Sequence, residues 1–126
     1  MGAKKTKIRT NNNCSELLSL TLVKEMMQLL SGKWKMQIVT FLLENGKTHF
    51  MDLQRGVEGI SATVLSKELQ ELQQSEIVAR RVLNTKLISV EYELTKHGKT
   101  LESLVLSIAS WGAAHRKHQH DNSQQV

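Results

Sequence analysis

Apolar residues along this chain follow first a helical period and later a strand period. From Ser15 to Leu30 they are dense: Leu18, Leu22, Met26 and Leu29 make one helical face, and Leu20, Val23, Met27 and Leu30 another. A helix apolar over so much of its circumference is buried on more than one side. In a chain this short, the second side points to a subunit partner. Gly32 interrupts the pattern, and Trp34 opens a second helix with Ile38, Phe41 and Leu42 inward. Asn45-Gly46 closes it with a helix C-terminus signal. Thr48-His49 reads as a very short strand, and Phe50, Leu53 and Val57 predict a short third helix ended near Gly56. Gly56-Val57-Glu58-Gly59 is then a turn with two glycines. The next helix runs from Ser61, which can cap it, to about Ser75. Leu65, Leu69 and Leu72 form its apolar stripe, and Ala62, Thr63, Ser66, Lys67 and Gln70 its polar side.

Beyond this helix the period shortens to two. Ile88, Val90, Tyr92 and Leu94 alternate with Ser89, Glu91 and Glu93, as in a strand with one buried face. Ile77 to Leu83 reads as the strand before it, with Asn84-Thr85-Lys86 as the tip between them. Thr95 or Lys96 starts a long last helix whose apolar positions are Leu101, Leu104, Val105, Ile108 and Trp111, with Leu106, Ala109 and Ala113 on a second side. After about His118 the chain turns polar and is expected to fray. Two short helices joined by a glycine-containing turn, then a hairpin, make a winged helix-turn-helix pattern. The class is α+β, mainly α, with a two-stranded β-hairpin wing and N- and C-terminal dimerisation helices. The expected organisation is a flexible basic arm over residues 1–14, the winged-helix domain over 15–118 and a polar tail over 119–126.

Charge sharpens this picture. The formal charge is +5, and a basic balance suits a polyanion partner. Its distribution is uneven. Lys4, Lys5, Lys7 and Arg9 make the first residues basic, whereas acids outnumber bases from Trp34 to Val78. Arg80, Arg81 and Lys86 restore the positive sign on the hairpin. The helix from Ser61 therefore lies in the least basic third, and Glu68 and Glu71 make its C-terminal half a poor phosphate binder. Taken alone, it reads first as an ordinary amphipathic helix. Its case as a DNA reader rests on the turn before it and the hairpin after it.

The remaining chemistry is sparse. Hydrophobic content is 40% and aromatic content 4%, so the core must be built mainly of Leu, Ile, Val and Met. No apolar run approaches the roughly 20 residues of a membrane span, and Asn11-Asn12-Asn13 follows the basic start where a leader would be apolar. A cytoplasmic protein without membrane contact is expected. One cysteine, Cys14, excludes an internal disulfide framework and a cysteine-based zinc site. It reads as a small residue at a helix start, with a thiol sensor or intermolecular disulfide as the alternative. His115, His118 and His120 find no carboxylate or thiol at suitable spacing, so a solvated tail is preferred to a metal site. No glycine-rich phosphate loop, nucleophile–base set or paired carboxylates support an enzyme. No metal or cofactor is expected.

Together these segments resemble the HxlR family of bacterial transcription regulators, relatives of the MarR-type winged helices. Gly32-Lys33-Trp34 matches the family's Gly-Lys-Trp, and His49 to Leu53 its Arg-Phe-x-Glu-Leu segment. Gly59-Ile60-Ser61 with Leu65, Leu69 and Leu72 matches its recognition helix, and Ile77-Val78 with Arg80 its first wing strand. Val90 to Thr95 with Gly98 and the pair Trp111-Gly112 complete the series. His49 replaces the usual Arg, Glu76 stands where Gly is common, so that the turn into the wing is expected to differ, and the proline-free wing is expected to be looser. Family members often carry a cysteine where Thr21 stands, so Cys14 does not inherit their sensing role.

The resemblance implies a homodimeric, sequence-specific DNA-binding regulator, expected to be a repressor, on a two-fold symmetric operator. Ser61, Ala62, Thr63, Ser66, Lys67 and Gln70 would face the major groove. Arg80, Arg81 and Lys86 would meet phosphate or the minor groove, although one face of a strand cannot present both arginines. Leu18, Leu22, Leu104, Ile108 and Trp111 are the expected dimer contacts. The partners are double-stranded DNA, a second copy of the chain, and a small-molecule or redox effector that the sequence does not identify. The alternative is a winged-helix module that binds proteins rather than DNA.

Overall fold

The computed structural model describes residues 19–84, 86 and 88–124. The basic arm, Cys14, Leu18 and the helix start expected at Ser15 lie outside the described residues, as do Thr85 and the last two residues. The chain divides into two units, one ending at Gly32 and the other beginning at Lys33.

The first unit contains helix α1, Leu20–Leu29. Ser19 has extended backbone, and its Oγ accepts from Leu22 N–H at 3.2 Å. That is an N-cap arrangement for Leu20–Leu29. None of the α1 side chains is buried, and the apolar Leu22, Val23, Met26 and Met27 are all exposed.

The second unit holds the remaining elements. Helix α2 spans Lys35–Asn45, strand β1 Thr48–His49, and helix α3 Phe50–Gly56. Helix α4 covers Ala62–Gln74, strand β2 Val78–Asn84 and strand β3 Ile88–Leu94. Helix α5, Lys96–Lys99, and helix α6, Glu102–Gln124, complete the chain. The sheet is antiparallel in the order β1-β3-β2, so the hairpin gains a third strand through Thr48 opposite Tyr92 and His49 opposite Glu91. The core brings together Ile38, Val39 and Leu42 of α2, Leu53 of α3, and Leu65, Leu69 and Leu72 of α4. Val57, Ile60, Ile77, Val78, Tyr92 and Leu94 close it. The three leucines at four- and three-residue spacing are thus the inner stripe of α4, at most 1% exposed.

Three boundaries differ from expectation. Ile77 is not the first strand residue: its N–H closes the end of α4, and β2 begins at Val78. The long last helix is broken at Thr100 and Leu101, whose N–H groups donate to His97 and Gly98 carbonyls three residues back, a tighter turn than α. Helix α6 also continues past His118 through Gln124. Its polar end is joined by i,i+4 contacts, Lys117 Nζ to Asp121 Oδ2 at 3.4 Å and Asn122 Nδ2 to His118 Nε2 at 3.2 Å.

Candidate nucleic-acid interface

Helix α3, the turn after it and α4 form a helix-turn-helix whose geometry follows from a few local choices. Gly56 belongs to the last turn of α3 rather than to the connecting turn. A Cβ on it would lie 2.0 Å from the Phe41 ring, so a larger residue would have to displace that ring. Gly59 supplies the turn itself, at φ 92°, where a side chain is disfavoured. Ser61 then caps α4, its Oγ accepting from Val64 N–H at 3.2 Å.

The far end of α4 is equally defined. Ile77 N–H donates to Leu72 O and Glu76 N–H to Gln73 O, both at 2.9 Å, the paired bonds of a Schellman motif. Glu76 occupies its left-handed position with φ 62°. The turn into the wing therefore has a glycine-like backbone despite the glutamate. Thr95, at the end of β3, holds this turn: its hydroxyl donates to Glu76 O at 2.7 Å, and its N–H to Ile77 O at 3.0 Å. Helix α4 and the hairpin are thus fastened at one corner.

Between these ends, α4 presents a continuous polar surface. Ser61, Ala62, Thr63, Ser66, Lys67 and Gln70 are all exposed, the arrangement the leucine stripe on the other side requires. The Ser61 hydroxyl oxygen is already engaged in capping, which leaves its proton and the first α4 N–H groups for an anion.

The acids of α4 are placed less simply. Glu68 is not a solvated charge: it is 7% exposed and lies 2.6 Å from Nζ of Lys35, itself 7% exposed. The same Nζ is 2.5 Å from Oε1 of Glu71, whose other oxygen faces Lys67 Nζ at 3.5 Å. Burial works against the Lys35 ammonium, but hydrogen bonds and charge from Glu68 and Glu71 outweigh it and raise its pKa. The Lys35 hydrogen bond and charge in turn hold the Glu71 carboxyl below its ordinary range. Sequence reading missed this cluster because Lys35 is 33 positions from Glu68. One signal was present: Glu68 stands three residues after Leu65 and four before Leu72, on the apolar stripe itself.

In the hairpin, Arg80 and Arg81 are both exposed but point to opposite faces. Arg80 is opposite Tyr92 and Arg81 opposite Glu91. Arg81 Nε lies 2.8 Å from Glu93 Oε2, so its charge is offset within the wing, while no described ion pair includes Arg80. Lys86 is exposed at the tip. Among the described residues no group of His, Cys, Asp and Glu is arranged to hold a metal ion.

A helix-turn-helix with an exposed polar face on α4 and an antiparallel hairpin directly after it is a winged-helix arrangement. The family model for the HxlR-like helix-turn-helix matches residues 29–120. The HTH-type transcriptional regulator YtcD of Bacillus subtilis is 33% identical over 93 residues, 74% of this chain and 73% of that protein. YybR, an HTH-type transcriptional regulator of the same organism, is 36% identical over 90 residues, 71% of each chain. Among solved structures, the redox regulator HypR in its reduced form matches with a TM-score of 0.72 at 32% identity, covering 79% of this chain and 98% of that one. A MarR-family transcriptional regulator from Enterococcus faecalis V583 matches with a TM-score of 0.71 at 25% identity, over 92% of this chain and 98% of that one. These matches, on this fold, make the chain a member of the HxlR-like helix-turn-helix family: a winged-helix, DNA-binding transcription regulator and not an enzyme.

Proposed function

We propose that the chain acts as a cytoplasmic homodimer on a two-fold symmetric operator and represses transcription there, with α4 in the major groove. The observation that carries the groove assignment is the exposed face of α4, where Thr63, Ser66 and Gln70 offer hydrogen bonds and Lys67 a charge. Gln70 suits adenine through a bidentate amide pair, and Lys67 a phosphate. Arg80 and Lys86 contact the backbone from the wing, and Arg81 contributes less because Glu93 engages it.

The dimer reading rests on apolar surface that lacks cover. Leu104, Ile108 and Trp111 of α6 are 39%, 54% and 67% exposed, and Leu22 of α1 is 36% exposed. Contiguous apolar rows of this kind mark protein interfaces, and two-fold self-association is the commonest way to cover them. With such a partner, two α4 helices reach successive major grooves about 34 Å apart.

HypR is a redox regulator. In this chain Thr21 stands at the family's cysteine position and the matched residues 29–120 contain no cysteine. Any effector here acts without a thiol in that region.

The deciding experiment is a fluorescence titration of duplex DNA, including the region upstream of the chain's own gene, across salt. Operator binding predicts affinity that falls steeply with salt as counterions are released, and Lys67→Ala lowers that slope by about one. Weak, flat binding to every duplex would favour a protein-binding module instead.

A further inference from the structure

We propose that Lys35, a buried residue away from the exposed face of α4, controls how freely Lys67 meets a DNA phosphate, acting through Glu71. The inference rests on the assignment of Lys67 to phosphate. Glu71 is shared: Oε1 lies 2.5 Å from Lys35 Nζ and Oε2 3.5 Å from Lys67 Nζ. Lys35 also holds Glu68 at 2.6 Å. Two ammonium groups and two carboxylates therefore cancel across the base of the helix.

The contacts are unequal. Lys35 has an 8% exposed side chain and a short contact, whereas Lys67 is 68% exposed and reaches Glu71 at the longer distance. An approaching phosphate competes with Glu71 for Lys67, and that competition is mild while Lys35 satisfies the carboxylate from the inner side. Without Lys35, Lys67 becomes the only cation at Glu71 among the described ion pairs, and the carboxylate competes fully with a phosphate for it. Lys35 is thus a positioning residue: it keeps Glu71 inward and Lys67 available. Its energetic burden is separable, because a buried ion pair exchanged for apolar groups of similar volume is often tolerated, whereas removal of one partner is not.

The test uses the full chain and a labelled mixed-sequence duplex, titrated at several salt concentrations, with urea unfolding of each variant as the control. Glu71→Gln is expected to bind about threefold tighter, the scale of an exposed ion pair, and to lose that gain in a Lys67→Ala background. Lys35→Met with Glu68→Leu is expected to fold and yet bind about threefold weaker. Adding Glu71→Gln should bring its binding up to that of Glu71→Gln alone, a more-than-additive recovery that a purely structural role for Lys35 does not give. Wild-type binding by Lys35→Met/Glu68→Leu, or a loss that persists after Glu71→Gln, overturns the inference. If that pair of substitutions prevents folding, the Glu71→Gln and Lys67→Ala cycle decides: equal gains in both backgrounds overturn it. A salt slope unchanged by Lys67→Ala overturns the phosphate assignment together with this inference. A slope lowered by about one, with Glu71→Gln inert, overturns the inference alone.

Discussion

The hydroxyl of Thr95 donates to the carbonyl oxygen of Glu76 at 2.7 Å and also accepts the Gly98 N–H at 2.8 Å. One side chain thereby caps α5 and secures the turn that ends α4 to the end of β3. Thr95→Ala removes both functions. It should destabilise the protein by about 1–2 kcal/mol, the upper part of the range for a lost N-cap, read as a lower urea midpoint. Thr95→Ser keeps the oxygen and should recover most of the loss.

Glu76 offers the opposite case, a position where substitution improves the fold. Its φ of 62° is left-handed, which costs a residue with a Cβ about 1 kcal/mol. Glu76→Gly removes that cost while adding freedom to the unfolded chain. Thermal or urea unfolding should show a net gain of up to about 1 kcal/mol.

The two wing arginines should separate in a salt titration. Arg80→Ala is expected to lower the slope of log affinity against log salt by about one. Arg81→Ala should change it less, because Glu93 at 2.8 Å already offsets that charge. Equal effects of the two substitutions would show that the Arg81–Glu93 pair opens on DNA.

Acid should weaken the fold through Glu71. Its carboxyl titrates below the ordinary value of 4.5 because of Lys35, so its stabilising share is present above that value and lost as pH falls through the lower, folded one. The Lys35 share is present below 10.5 and lost only as pH rises through its raised value. Urea midpoints should therefore show no change from this pair between about pH 6 and 9. They should fall below about pH 4.5 in the wild type, and less so in Glu71→Gln.

Substitution in the exposed row of α6 tests self-association. Ile108 and Trp111 are 54% and 67% exposed, so Ile108→Glu places a charge in the row without disturbing the core. It should yield a monomer by sedimentation and abolish the dependence of unfolding midpoint on protein concentration. If the wild type already sediments as a monomer at micromolar concentration, the row serves another partner.

Periodicity was enough to expose most of this fold. The leucines at 65, 69 and 72 are buried as their spacing requires, and the alternation from Ile88 to Leu94 became β3. Ser61 capped the helix it was expected to open. What escaped the sequence depended on distant partners or on weak propensities. Burial of Glu68 needs Lys35, which local pattern cannot supply, and the last turns of α6 are polar, rich in His, Asp, Asn and Ser of weak helix propensity, with no apolar stripe to announce them. The role of Gly56 was misread for a similar reason: its smallness answers to Phe41, fifteen positions earlier, and not to a turn. The exposed face of α4 was legible because the buried face dictates it.

The sheet order gives the arginines of β2 a second consequence, one that holds even with no nucleic acid present. In the order β1-β3-β2 the outer strands are β1, only two residues long, and β2. An open strand invites pairing with another molecule's backbone, and charge placed along it discourages that encounter. Arg80 and Arg81 sit side by side on this edge and point to opposite faces, so an approaching strand meets a charged side chain on either face. Replacing them with apolar residues would expose the hairpin to strand-to-strand aggregation, and the chain would lose solubility.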